Sequence, residues 1–155
     1  MSMNIWEIKD GLLQSSKIDD VMTLTHPGYD ITCVIDLEGC FDKIDWWAAI
    51  LSFTYLYWPI HDLPVMPNER VLWNVAGYAY RAWQSGDRVL VHCAQGHNRS
   101  GLVNGMILHI SGMKGSDAVK LIQEKVPGAL SNLVFRHYLE GLKGGESNGQ
   151  GLVQE

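Results

Sequence analysis

The sequence has little cysteine, little basic charge and no long apolar run. Three cysteines cannot all pair within one chain, and a cytoplasmic protein with reduced thiols is the simpler expectation. No stretch stays apolar for the length of a membrane span, so no membrane partner is expected. The opening residues, Met1 to Glu7, lack the basic and apolar segments of a secretion signal. Lysine and arginine total 12 against 17 acids, a formal net charge of −5, which argues against broad contact with nucleic acid. One small phosphate pocket stays allowed, because local amide dipoles and a single arginine overrule a weak global field. No group of His, Cys and acidic residues has metal-ligand spacing, and no cofactor is expected.

What is present suits one globular domain. The chain has 155 residues, enough for a full core, with no repeat and no second domain. Ile5–Ile8 and Leu12–Leu13 flank Asp10-Gly11 and predict a hairpin. A short helix is expected over 18–24. The apolar runs 31–37 and 53–59 predict strands, and 42–51 is ambiguous. Asn68 can cap a helix whose apolar face runs from Val71 to Trp83. Arg88 to His92 predicts a strand, and a helix begins near Ser100 and ends at Gly112. Two further helices fit Ser116–Lys125 and Ser131–Leu142. Strands alternating with helices predict an α/β domain, a largely parallel sheet flanked by helices, over residues 1–142. Residues 143–155 are Gly-rich and polar and predict a flexible tail.

The chemistry concentrates in Val91-His92-Cys93-Ala94-Gln95-Gly96-His97-Asn98-Arg99-Ser100-Gly101, between a predicted strand and a predicted helix. A loop there can turn backbone N–H groups inward, and the helix adds the positive end of its dipole. Ala94, Gln95, Gly96, His97, Asn98 and Arg99 would line this anion cradle. A cysteine at its base feels the same field, which favours the thiolate. Arg99 can fork two N–H bonds onto phosphate oxygens. Cys, five residues and Arg also occur in rhodanese-like sulfurtransferases. Here His92 precedes the cysteine and Ser100-Gly101 follows the arginine. With these additions the segment resembles the signature of the protein tyrosine phosphatase superfamily. The resemblance to its dual-specificity branch extends over residues 5–142, through Glu7 to Ser15, Ile31 to Leu37 and Asn132 to Leu139.

The resemblance implies a phosphatase that works through a phosphocysteine on Cys93, with Arg99 clamping phosphate and Ser100 bonding the sulfur. It also implies an aspartate on a loop ahead of the cysteine strand. Asp62, with thirty residues between it and Cys93, fits that place; Asp36, Glu38, Asp42 and Asp45 are rivals. His92 is expected to hold the loop, and Cys33 to sit in the core. Cys40, just past a predicted strand, is a candidate disulfide partner for an oxidised Cys93. The expected partner is a phosphorylated protein. Asn98 before Arg99 also resembles the loop of RNA 5′-triphosphatases of the capping type, so an RNA 5′ end is the alternative substrate. A phosphate-binding module without turnover is the alternative outside enzymes.

Overall fold

A computed structural model describes residues 3–19, 23–24, 26–39 and 53–144. Strands β1 (Ile5–Lys9) and β2 (Leu12–Ser15) form the predicted hairpin, turning at Gly11 with φ of 79°. Strands β3 (Cys33–Asp36), β4 (Thr54–Tyr57) and β5 (Val89–His92) complete a sheet of order β1-β2-β5-β3-β4. Among the described strands, only the β1–β2 pair is antiparallel. The last strand in sequence therefore lies at the centre, between β2 and β3. The ladders are shorter than the apolar runs that predicted them. Past the strand ends, Ile31 N–H turns to Leu24 O instead.

Alternation along the strands separates two apolar layers. Leu12, Cys33, Ile35, Val89 and Val91 join the layer that all four described helices cover, whereas Leu13, Val34 and Leu90 pack with Leu24, Ile31 and Phe53. The helices are α1 (Glu69–Gln84), α2 (Arg99–Ile110), α3 (Gly115–Lys125) and α4 (Leu133–Glu140). Asn68 caps α1 as expected, accepting from Val71 N–H. Helix α4 is shorter than predicted, because Asn132 is its cap and accepts from Val134 and Phe135 N–H.

Helix α2 is buried along its length from Ser100 to Leu108, rather than on the single face its apolar spacing suggested. Gly105 allows this, since a Cβ there would sit 2.5 Å from the Leu139 side chain. Fully burying side chains such as Leu72, Ile107 and Phe135 contributes about 1.5–3 kcal/mol each. The ambiguous stretch 42–51, Cys40, the middle of the helix expected over 18–24, and the tail beyond Gly144 lie outside the described residues. Among those described, no helix is long and apolar enough to cross a membrane.

Candidate active site

The loop from Cys93 to Asn98 leaves the carboxyl end of the central strand, where open α/β sheets place their sites. Its start is tied to the end of β2 and the residues beyond. Cys93 N–H donates to Ser15 O at 3.3 Å, and Lys17 N–H to Ala94 O at 3.0 Å. Gly96 has φ of 77°, and a Cβ there would come within 2.6 Å of the Ser15 backbone, so only glycine fits. Beneath it, buried Gln14 donates to Gly96 O at 2.8 Å and accepts from Asn104 Nδ2 at 3.0 Å. This relay runs from α2 through β2 to the loop and fixes its height. On the far side, Leu130 N–H donates to His97 O.

The first bond of α2 runs from Leu102 N–H to Asn98 O, leaving the earlier N–H groups with no partner within the helix. Their partial positive charge sits beside the loop. Cys93 is buried, with Sγ 3.3 Å from Ser100 Oγ in the first turn. Arg99 donates from Nη1 to Ile60 O at 3.1 Å. Its Nε is buried without a partner among the described residues, a donor that an oxyanion would satisfy.

Asp62 comes to the same loop from the continuation of β4. Trp58 N–H donates to Asp36 O and Ile60 N–H to Leu37 O, so residues 58–60 run on beside the end of β3. Asp62 is exposed, and Asn98 Nδ2 donates to its Oδ2 at 2.9 Å. The structure thus gathers Cys93, Ser100, Arg99, Asn98 and Asp62 around one turn of chain. His61 is exposed, and the His97 ring lies tilted against Trp6, with centroids 6.1 Å apart.

Of the rival acids, Asp36 has a different part. It is fully buried beside His92, with Oδ1 3.0 Å from His92 Nε2. The same oxygen accepts from Glu38 N–H, and the other accepts from Tyr55 Oη–H. Burial pushes the Asp36 carboxyl up, but the hydrogen bond and charge of His92, with Tyr55 and the Glu38 amide, outweigh it and hold it below the ordinary value. Asp36 therefore braces the residue before Cys93 and is closed off from solvent. Asp42 and Asp45 lie outside the described residues. Cys33 is core, as expected; burial first, and the charge of Asp87 second, push its thiol up to about 12.

A depressed carboxyl stabilises the fold above its unfolded value, near 3.8, and that stabilisation disappears as pH falls through the lower folded value. The melting temperature of the wild type should therefore fall faster than that of Asp36→Asn between about pH 5 and about pH 2. Parallel curves would remove Asp36 from the acid response.

Gln14, Tyr55, Asn104 and Asn132 carry no local signal, and sequence reasoning did not single them out as site residues. Among the described residues, no group of three or more His, Cys, Asp or Glu side chains is placed to hold a metal ion.

No family model and no curated protein matches the chain. Solved structures do. A mouse putative dual specificity phosphatase complexed with zinc tungstate superposes with a TM-score of 0.71 at 20% identity, over 88% of this chain and 84% of that one. Tk-PTP in its active form gives 0.72 at 24% identity, over 86% and 94%. A human tyrosine phosphatase-like serine/threonine/tyrosine-interacting protein gives 0.68 at 25% identity, over 88% and 93%. The fold is that of the dual-specificity phosphatases, the branch of the tyrosine phosphatase superfamily that the signature resembles.

Proposed function

We propose that the chain is a cysteine-dependent phosphatase that hydrolyses phosphomonoesters on proteins. The observation that carries this reading is the convergence of Cys93, Arg99 and Asp62 on one loop at the end of β5. In the first step the Cys93 thiolate attacks phosphorus, forming the S–P bond as the P–O bond to the leaving group breaks. Asp62 gives its proton to the departing oxygen. In the second step Asp62 takes a proton from water, whose oxygen bonds phosphorus as the S–P bond breaks. Ser100 Oγ–H donates to the returning thiolate. Arg99 and the first-turn N–H groups of α2 hold the phosphoryl oxygens in both steps.

A phosphoprotein is favoured over an RNA end by charge. Twelve basic residues face 17 acids in the whole chain, and no basic run flanks the loop to meet further phosphates. Asn98, the residue shared with capping-type RNA phosphatases, has its amide turned to Asp62 here. Turnover is best compared in parallel on phosphotyrosine peptide, phosphothreonine peptide, phosphoinositide and 5′-triphosphate RNA. Phosphotyrosine peptide should be the best of the four. Far higher efficiency on RNA, suppressed sharply by salt, would decide for the RNA reading.

Asp62→Asn should slow phosphotyrosine hydrolysis by about 10²–10⁴-fold and flatten the basic limb of the pH–rate profile. An unchanged rate and limb would send the search for the acid to Asp42 or Asp45.

A further inference from the structure

Asn98 occupies the cap position of α2 but makes no capping bond with its side chain. Its amide is used elsewhere. Oδ1 accepts from Asn132 N–H at 2.9 Å and from Ser131 Oγ at 3.3 Å, which leaves Nδ2 facing Asp62 Oδ2. The flip of this amide is therefore fixed by a backbone donor. Asn132 is held in the same way. Its Oδ1 accepts from Val134 and Phe135 N–H at the start of α4, so its Nδ2 points outward. That Nδ2 donates to Asp62 Oδ1 and to Leu63 O, both at 2.9 Å. Each oxygen of Asp62 thus accepts one amide N–H, from two different elements.

We propose that Asn98 and Asn132 are positioning residues that form an amide clamp on Asp62 and keep the acid over the phosphate loop through both proton states. The proposal rests on Asp62 being the general acid and base. As a carboxylate, Asp62 accepts from both amides, the form that takes a proton from water in the second step. Once Asp62 is protonated, the oxygen that carries the hydrogen accepts more weakly and the amide facing it is free to loosen. Asn132 can do so at no loss to the loop, because its second N–H stays on Leu63 O. Asn98 then keeps the other oxygen in place. The clamp holds position while the proton comes and goes.

A merely structural role and a positioning role separate in the leaving-group dependence. Phenyl phosphate needs a proton donor, whereas para-nitrophenyl phosphate, with its far more stable leaving anion, needs it much less. Asn98→Ala and Asn132→Ser are each made alone and combined with Asp62→Asn, and kcat/KM, which reports the step in which the leaving group departs, is measured on both esters. The serine at position 132 keeps a helix-capping oxygen, and melting curves of every variant report on folding. Each single variant should lower kcat/KM on phenyl phosphate by about tenfold or more, with a much smaller fall on para-nitrophenyl phosphate. In the Asp62→Asn background neither should lower the rate further, because the group being positioned is gone. Singles that leave phenyl phosphate turnover unchanged overturn the clamp, as do losses of equal size with and without Asp62. If Asp62→Asn alone leaves the phenyl phosphate rate unchanged, the assignment of the acid itself fails, and the clamp with it.

Discussion

Replacing Cys93 with serine is expected to leave a folded protein whose turnover is on the order of 10⁻⁴ of wild type or lower. Serine is the smaller side chain, and the pocket between β5 and Ser100 accepts it without displacing backbone. What disappears is the proposed nucleophile. A hydroxyl at this place would face another hydroxyl, Ser100, rather than a base. The covalent step therefore has no substitute path. Quenching wild type in acid during turnover should trap a phosphoryl group on the peptide that contains Cys93, and the variant should trap none. Activity within about tenfold of wild type would take Cys93 out of the mechanism.

Arg99→Lys keeps the charge and is nevertheless expected to lower kcat/KM by about 10²-fold or more. Two losses combine. A planar fork onto two phosphoryl oxygens becomes a single point donor, and charge-assisted bonds of this kind contribute about 1.5–3 kcal/mol each. The bond from Nη1 to Ile60 O also goes, and with it one of the ties between the loop and the segment that carries Asp62, the other being Asn98 to Asp62. The effect should therefore appear in kcat as well as in KM. Near-normal efficiency in the lysine variant would contradict both roles.

The parts of the fold that the sequence revealed are those encoded locally. The cap at Asn68, the turn at Gly11 and the passage from an apolar strand through Cys93–Asn98 into a helix each lie within a short run of residues. The parallel sheet followed from alternation of strand and helix, and the structure bears it out. The supports of the site were not legible, because each joins residues far apart in the chain. Asp36 reaches His92 only because β3 and β5 pair in a register that sets those two residues opposite each other. Gln14 meets Gly96 and Asn104 across β2 and α2. Asn132 meets Asp62 from the start of a helix whose predicted beginning was two residues too early. Chain pattern reports on neighbours in sequence, and these contacts are set by strand order.

The position of β5 also governs how the protein comes into being. It follows β2 and β3 in sequence but lies between them in space, so neither earlier strand has its inner partner until residues 89–92 have been made. The cradle adds a further condition, because its lower tie comes from Asn104 and its rim from Leu130. A nascent chain that stops before those residues holds Cys93 but not the pocket. Pairing across such long sequence separation is slow, because loop-closure entropy is lost before the contacts that offset it are made. Closure of the loop and completion of the fold are thus coupled, and a partly synthesised chain lacks the contacts that shape the pocket.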